Sequence, residues 1–161
     1  MSSDQTPHEV TPHDVTPHDV TPHGVTPHEV VNPPGLLPPV GFAHAVVAAA
    51  GRTVSLGGMT GHARDGGIAG SLVEQFDAAL ANLVTALTAC RARPEHLVSL
   101  QVYVTDVGRY RAELRALGEI YRGHLGRHFP AMALFGVAEL FDPRAVVELV
   151  GTAVVPEEPS P

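Results

Sequence analysis

Several residue types that often carry a function are scarce or missing here. The 161 residues include a single cysteine, Cys90, and no lysine. One cysteine excludes an intramolecular disulfide framework, and a reducing compartment is its simplest setting. Without a lysine, the Gly57-Gly58 pair cannot belong to a phosphate-binding loop that closes on a Lys-Ser/Thr pair. No apolar run approaches the ~20 residues that a membrane-crossing helix requires. The N-terminus has neither the basic flank nor the apolar stretch of a secretory signal. Positive charge is also in deficit, with a formal net charge of -7. Such a chain offers no field to attract a phosphate backbone, which excludes nucleic acid as the expected partner. The expectation is a soluble, cytoplasmic protein that binds neither membrane nor nucleic acid.

What is present divides the chain sharply. Residues 6–30 are five tandem pentapeptides, TPHEV, TPHDV, TPHDV, TPHGV and TPHEV. Asp4, Glu9, Asp14, Asp19 and Glu29 place five of the seventeen acids in the first 35 residues, leaving twelve against ten arginines in the body. A period of five with proline in every repeat fits neither helix nor strand. The sequence therefore predicts a disordered or extended tail over 1–35, one folded domain over 36–156 and a short disordered end over 157–161. His8, His13, His18, His23 and His28 invite a metal-binding reading. In an extended chain at ~3.1 Å per residue, however, successive histidines stand about 15 Å apart, so chelation requires the chain to fold back. A neutral linker is the simpler reading, and no metal or cofactor is expected.

In the body, residues 44–58 are apolar and β-branched around Gly51-Arg52, which predicts a hairpin. Ser71 with Glu74 matches a capping box. After it, Leu72, Phe76, Leu80, Leu83, Leu87 and Cys90 keep helical spacing to a stop near Pro94, with Cys90 expected in the core. Val98, Leu100, Val102 and Val104 alternate with Ser99, Gln101, Tyr103 and Thr105, as a half-buried strand does. A second helix is expected from Arg109 to about Gly126, with Tyr110, Leu114, Leu117, Tyr121 and Leu125 on one face. Residues 129–155 read as two strands around a Phe141-Asp142-Pro143 turn. The order β-β-α-β-α-β-β is an α+β plan with two helices on one face of a sheet. The other face lacks a covering layer, which points to self-association.

From about Pro39 to Val155 this order resembles the Rid (YjgF-like) family of small enamine/imine deaminases. The likeness is carried by SLGG (55–58), EQFDAALANL (74–83) with Gln75 and Asn82, VSLQVYVTDVGRY (98–110) and FPAMALFGVAELFDPRAVVELVGTAVV (129–155). The resemblance implies a chorismate-mutase-like fold, a mixed sheet and a homotrimer with small-molecule pockets between subunits. It also assigns positions. Phe42 stands where the family has tyrosine, Gly58 where a backbone glycine cradles a carboxylate, and Gly118 where an asparagine falls. Met132 replaces the arginine that clamps the substrate carboxylate, and Leu134 stands two residues on. Val150 replaces the glutamate that positions water.

These replacements exchange a bidentate cation and an acid/base for apolar side chains. The family's 2-imino-acid hydrolysis is accordingly expected to be absent or weak, and the pocket suits a larger, less charged ligand. Substitute catalytic groups are available. Glu148 shares strand parity with Val150 and is the first acid/base candidate, its alternative being a solvated or inter-subunit ion-pair residue. His44, at the family's glutamine position beside Phe42, is the second, its alternative a structural histidine. Thr60 and His62 are further polar candidates in the loop after Gly58, and Arg144 is a possible clamp from another direction. His124 and His128 have the i, i+4 spacing of a metal pair, but Gly126 interrupts them and no HExxH glutamate accompanies them. Two functions stay open: an enzyme acting on an imine, enamine or reactive carbonyl intermediate, and a non-catalytic ligand-binding or regulatory module. RNA cleavage is the least consistent with the acidic balance.

Overall fold

The computed structural model describes residues 26–157. The four upstream repeats, with His8, His13, His18 and His23, and residues 158–161 lie outside the described residues. In chain order the elements are β1 (Glu29–Val31), β2 (Ala45–Val47), β3 (Gly51–Ser55), β4 (Met59–Thr60), α1 (Leu72–Ala89), a 3-10 turn (Pro94–His96), β5 (Leu97–Val104), α2 (Val107–Ala112), α3 (Leu114–Leu125), β6 (Ala131–Gly136) and β7 (Val147–Pro156). The α+β class and the mixed sheet agree with expectation. The helix count does not, because the second helix is broken at Glu113, which ends α2 and begins α3.

α1 forms as the sequence predicts. The Ser71 hydroxyl accepts the Glu74 N–H at 3.2 Å, and the Glu74 carboxylate returns to that hydroxyl at 2.6 Å rather than to the Ser71 backbone. Leu72, Phe76, Leu80, Leu83 and Leu87 are buried against β5 and β7, where Leu100, Val102, Val104, Val147, Leu149 and Ala153 form the facing layer. Each such side chain contributes about 1.5–3 kcal/mol of burial. Cys90 is the exception to the spacing. It is exposed because the helix ends there, with its N–H bonded back to Ala86 and Leu87 carbonyls.

Strand pairing departs from the two hairpins read in the sequence. The main sheet has the order β3-β7-β5-β6, with β4 also on β7. β5 lies between β6 and β7, parallel to the first and antiparallel to the second. Residues 129–155 are thus two strands that do not pair with each other. Similarly, β2 pairs with β1, not β3. An irregularity between Leu97 and Ser99 resets parity, so Leu97 is buried and Val98 only half-buried.

The fifth repeat also departs from the tail assignment. Glu29–Val31 forms a strand against Ala45–Val47, and His28 is buried. At the other end, β7 reaches Pro156 and the Glu157 N–H donates to the Ala50 carbonyl at 3.2 Å.

Candidate functional site

Between α3 and the edge strand β6 lies a cavity of about 570 Å³. In β6, Met132 stands beside Leu100 and Leu134 beside Val102 of β5, so alternate residues of β6 face the helix side. Met132 and Leu134 meet Phe42 from the segment before β2 and Leu114, Leu117 and Gly118 from α3. Leu114, expected on the buried helix face, is 55% exposed because it stands at this opening. A methyl at Gly118 would come within 3.4 Å of the Arg122 Nη1, which puts the guanidinium over the glycine. Among the described residues, Arg122 is the only charged one lining the cavity. It makes no hydrogen bond or ion pair among the described residues.

The cavity's other polar groups are phenols. Tyr121 stacks on Phe129 at 5.2 Å, and its hydroxyl donates to the His128 carbonyl at 2.8 Å, with the Met132 sulfur 3.6 Å away. Burial pushes the phenols of Tyr110 and Tyr121 above their usual range, with Tyr110 adding to the shift at Tyr121. No residue of this wall is an acid or base suited to proton transfer near neutrality.

A second, polar group of residues lies around β4 and β7. Glu148 stands opposite Thr60 in β4 and Tyr103 in β5. Any side chain at Gly58 would collide with the Glu148 carboxylate, so glycine is what lets that carboxylate lie against the loop. The Thr60 hydroxyl donates to His62 Nδ1 at 2.7 Å, and His62 Nε2 donates to Asp142 Oδ2 at 2.9 Å. The carboxylate on Nε2 assigns the ring proton to that nitrogen. Arg144 closes the chain on Asp142 with Nη2 at 2.7 Å, Nε at 3.2 Å and its own N–H at 2.8 Å. These bonds, those from Arg144 foremost and that from His62 next, hold the Asp142 carboxyl well below the usual carboxylate range. α1 supports the loop: Asn82 Nδ2 donates to the Thr60 and His62 carbonyls at 2.9 Å each.

The family model described as Endoribonuclease L-PSP matches residues 36–155. The chain belongs to the Rid (YjgF-like) family. YyfB of Yersinia pestis, a Rid-family protein of unknown function, is 31% identical with a TM-score of 0.72, over 80% of this chain and 98% of that one. A YjgF-family member from Mycobacterium tuberculosis is 28% identical at a TM-score of 0.54, over 72% and 88% of the two chains. RidA from an Antarctic Psychrobacter, at 22% identity and a TM-score of 0.58 over 71% and 88%, supports the fold alone. No curated protein matches.

Within this Rid-family frame the expected site residues fall into two groups. Phe42, Gly118, Met132 and Leu134 come together around the cavity. Gly58, Thr60 and Glu148 come together at the polar loop. Val150 stands beside Gln101 of β5, on the same sheet face as Glu148. His44 lies behind the cavity wall: its backbone N–H and Nδ1 both reach Asn32 Oδ1, at 3.0 and 3.2 Å, and its ring meets Phe42 edge-on at 5.3 Å. Neither Glu148 nor His44 lines the cavity of the single chain.

Arg144 is turned onto Asp142 and is not a cavity residue. His124 bonds to Asp77 at 2.6 Å, whereas His128 is buried with Nε2 on the Leu97 carbonyl at 2.8 Å. Sequence reasoning missed Arg122. The signal was its i, i+4 relation to Gly118, which stacks the two on one helix face.

Proposed function

We propose that this Rid-family protein takes a largely apolar imine, enamine or reactive carbonyl intermediate, less anionic than the 2-imino acids the family resemblance implies. The observation that carries the reading is the composition of the cavity wall, where Met132 and Leu134 join Phe42 and Leu117 and the only charge among the described residues is Arg122 on α3. A small ligand built around its carboxylate finds no cation on β6. An apolar body with one anionic or strongly polar end fits the wall, that end meeting Arg122. Catalysis requires a second contribution. In an oligomer that packs through the uncovered sheet face, the Glu148 group of one copy and the cavity of the next form a single inter-subunit pocket. Glu148 then takes a proton from water as it attacks the C=N carbon and passes it to nitrogen, giving a carbinolamine; relay of the remaining hydroxyl proton to nitrogen as the C–N bond breaks releases carbonyl product and ammonia.

The alternative is a non-catalytic ligand-binding module. It is favoured by the absence of a near-neutral acid or base among the residues that line the cavity. The family description's ribonuclease activity is not carried over, because twelve acids against ten arginines leave the body without a positive field.

The test is hydrolysis of 2-iminopropionate by wild type and by Met132→Arg/Val150→Glu. Wild type is expected to be inactive or nearly so and the double variant to gain activity. Full wild-type activity overturns the pocket reading. Once a turned-over substrate is in hand, Glu148→Gln separates the two functions, abolishing turnover in the enzyme and sparing binding in the module.

A further inference from the structure

The last of the five pentapeptides is docked on the domain by its repeated residues. The Thr26 hydroxyl donates to the Glu95 carbonyl at 2.7 Å. His28 is 6% exposed, and both ring nitrogens are used. The Ala49 N–H donates to Nδ1 at 3.2 Å, and Nε2 donates to the His96 carbonyl at 3.2 Å. Val30 pairs with Val46 in the β1–β2 ladder. The fourth position of the repeat, which changes among Glu, Asp and Gly along the chain, is Glu29 here and is exposed. The two side chains that bond to the domain, Thr26 and His28, are thus shared by all five repeats, and the one that varies points to water.

We propose that the groove between Ala49 and the Glu95-His96 turn is a receptor for the Thr-Pro-His-x-Val peptide, with the four upstream repeats of the same chain as interchangeable occupants. Moving the docked register back by one repeat adds five residues to the 13-residue connection 32–44. Loop-closure entropy charges less than about twofold in population for that step. The fifth repeat leads because Val31 and Asn32 follow it. Val31 pairs with Ala45, and Asn32 Oδ1 accepts the His44 N–H at 3.0 Å. Each upstream repeat is followed instead by Thr-Pro, which forfeits the asparagine. Occupation from within the chain is favoured over a second copy, since a short tether gives an effective concentration of order millimolar.

The consequence is redundancy, and full-length variants read it. In His28→Ala, His23 or a histidine further upstream takes over the Ala49 N–H. The hydrogen-exchange protection of that amide should then stay within about threefold of wild type. Replacing His8, His13, His18, His23 and His28 together removes every substitute, and protection should fall roughly ten- to a hundredfold, the loss expected for a half-buried donor left without its acceptor. Replacing only the four upstream histidines should leave Ala49 as in wild type. Failure of the fivefold variant to fold, with His28→Ala folded, also supports the proposal. Equal losses in the single and fivefold variants overturn it, as does failure of both to fold. Rescue that grows with protein concentration between about 1 and 100 µM overturns the intrachain assignment and gives the groove to a second copy's repeats.

Discussion

At the scale of single residues, the chain's chemistry is set by a few side chains whose surroundings the sequence conceals. His96 is one. It is buried in the turn before β5, where Nδ1 accepts the Arg93 N–H at 3.2 Å and its carbonyl receives His28. Burial lowers its pKa below 6.5. Arg93 and His28 push the same way, while Glu95 opposes them. Between the lowered folded value and 6.5, the unfolded chain binds the proton and the folded chain does not. Stability therefore falls as pH drops below about 6.5, at no more than about 1.4 kcal/mol per pH unit for one proton, and levels off below the folded pKa. Urea midpoints from pH 7.5 to 5 should show this decline, and His96→Gln should flatten it. An unchanged slope in the variant would assign the decline to other groups.

At the scale of elements, local signals were legible and non-local ones were not. The α1 cap at Ser71, its Leu-Phe stripe and the alternation of Leu100, Val102 and Val104 are written in neighbouring residues, and each formed as read. Pairing is not local, so the apparent hairpin over 129–155 hid β5 between its strands. The break at Glu113 and the parity reset at Leu97/Ser99 left no pattern that periodicity could detect. The site was legible to a similar extent: strand parity placed Met132 with Leu134 and Glu148 with Val150, but not the sheet face of either pair. Gln75 carries the clearest tertiary consequence at this scale. The side chain is 1% exposed; its Nε2 donates to the Ala69 and Arg144 carbonyls at 2.7 and 2.9 Å, and its Oε1 accepts the Val146 N–H at 2.9 Å. One helix residue thus ties α1 to the loop before it and to the start of β7. Gln75→Leu preserves bulk but orphans three backbone groups, and chemical denaturation should show a loss of about 2–4 kcal/mol. A loss below 0.5 kcal/mol, on the order of an ordinary surface substitution, would mean that water replaces the amide.

At the scale of the whole molecule, the three helices cover one face of the main sheet, and no described element covers the other. That bare face carries Gln101 and Tyr103 of β5, Glu148 and Val150 of β7, and Phe135 of β6. Tyr103 and Phe135 stack at 5.3 Å, and Phe135 remains 44% exposed. A sheet with apolar and aromatic residues on an open face is stabilised by packing against another layer, and with no third layer among the described residues the available one is a second copy. The proposed enzymatic reading requires in addition that association bring the Glu148 group of one copy to the cavity of another. The expected assembly is a trimer, three times the 16.9 kDa chain by light scattering. Phe135→Asp sets a charge into the contact without touching the helix-side core, and should yield a folded monomer with unchanged far-UV circular dichroism. If wild type is itself monomeric at about 100 µM, the sheet face is an ordinary surface. The cavity would then have to act without Glu148, and the binding-module reading would replace the enzymatic one.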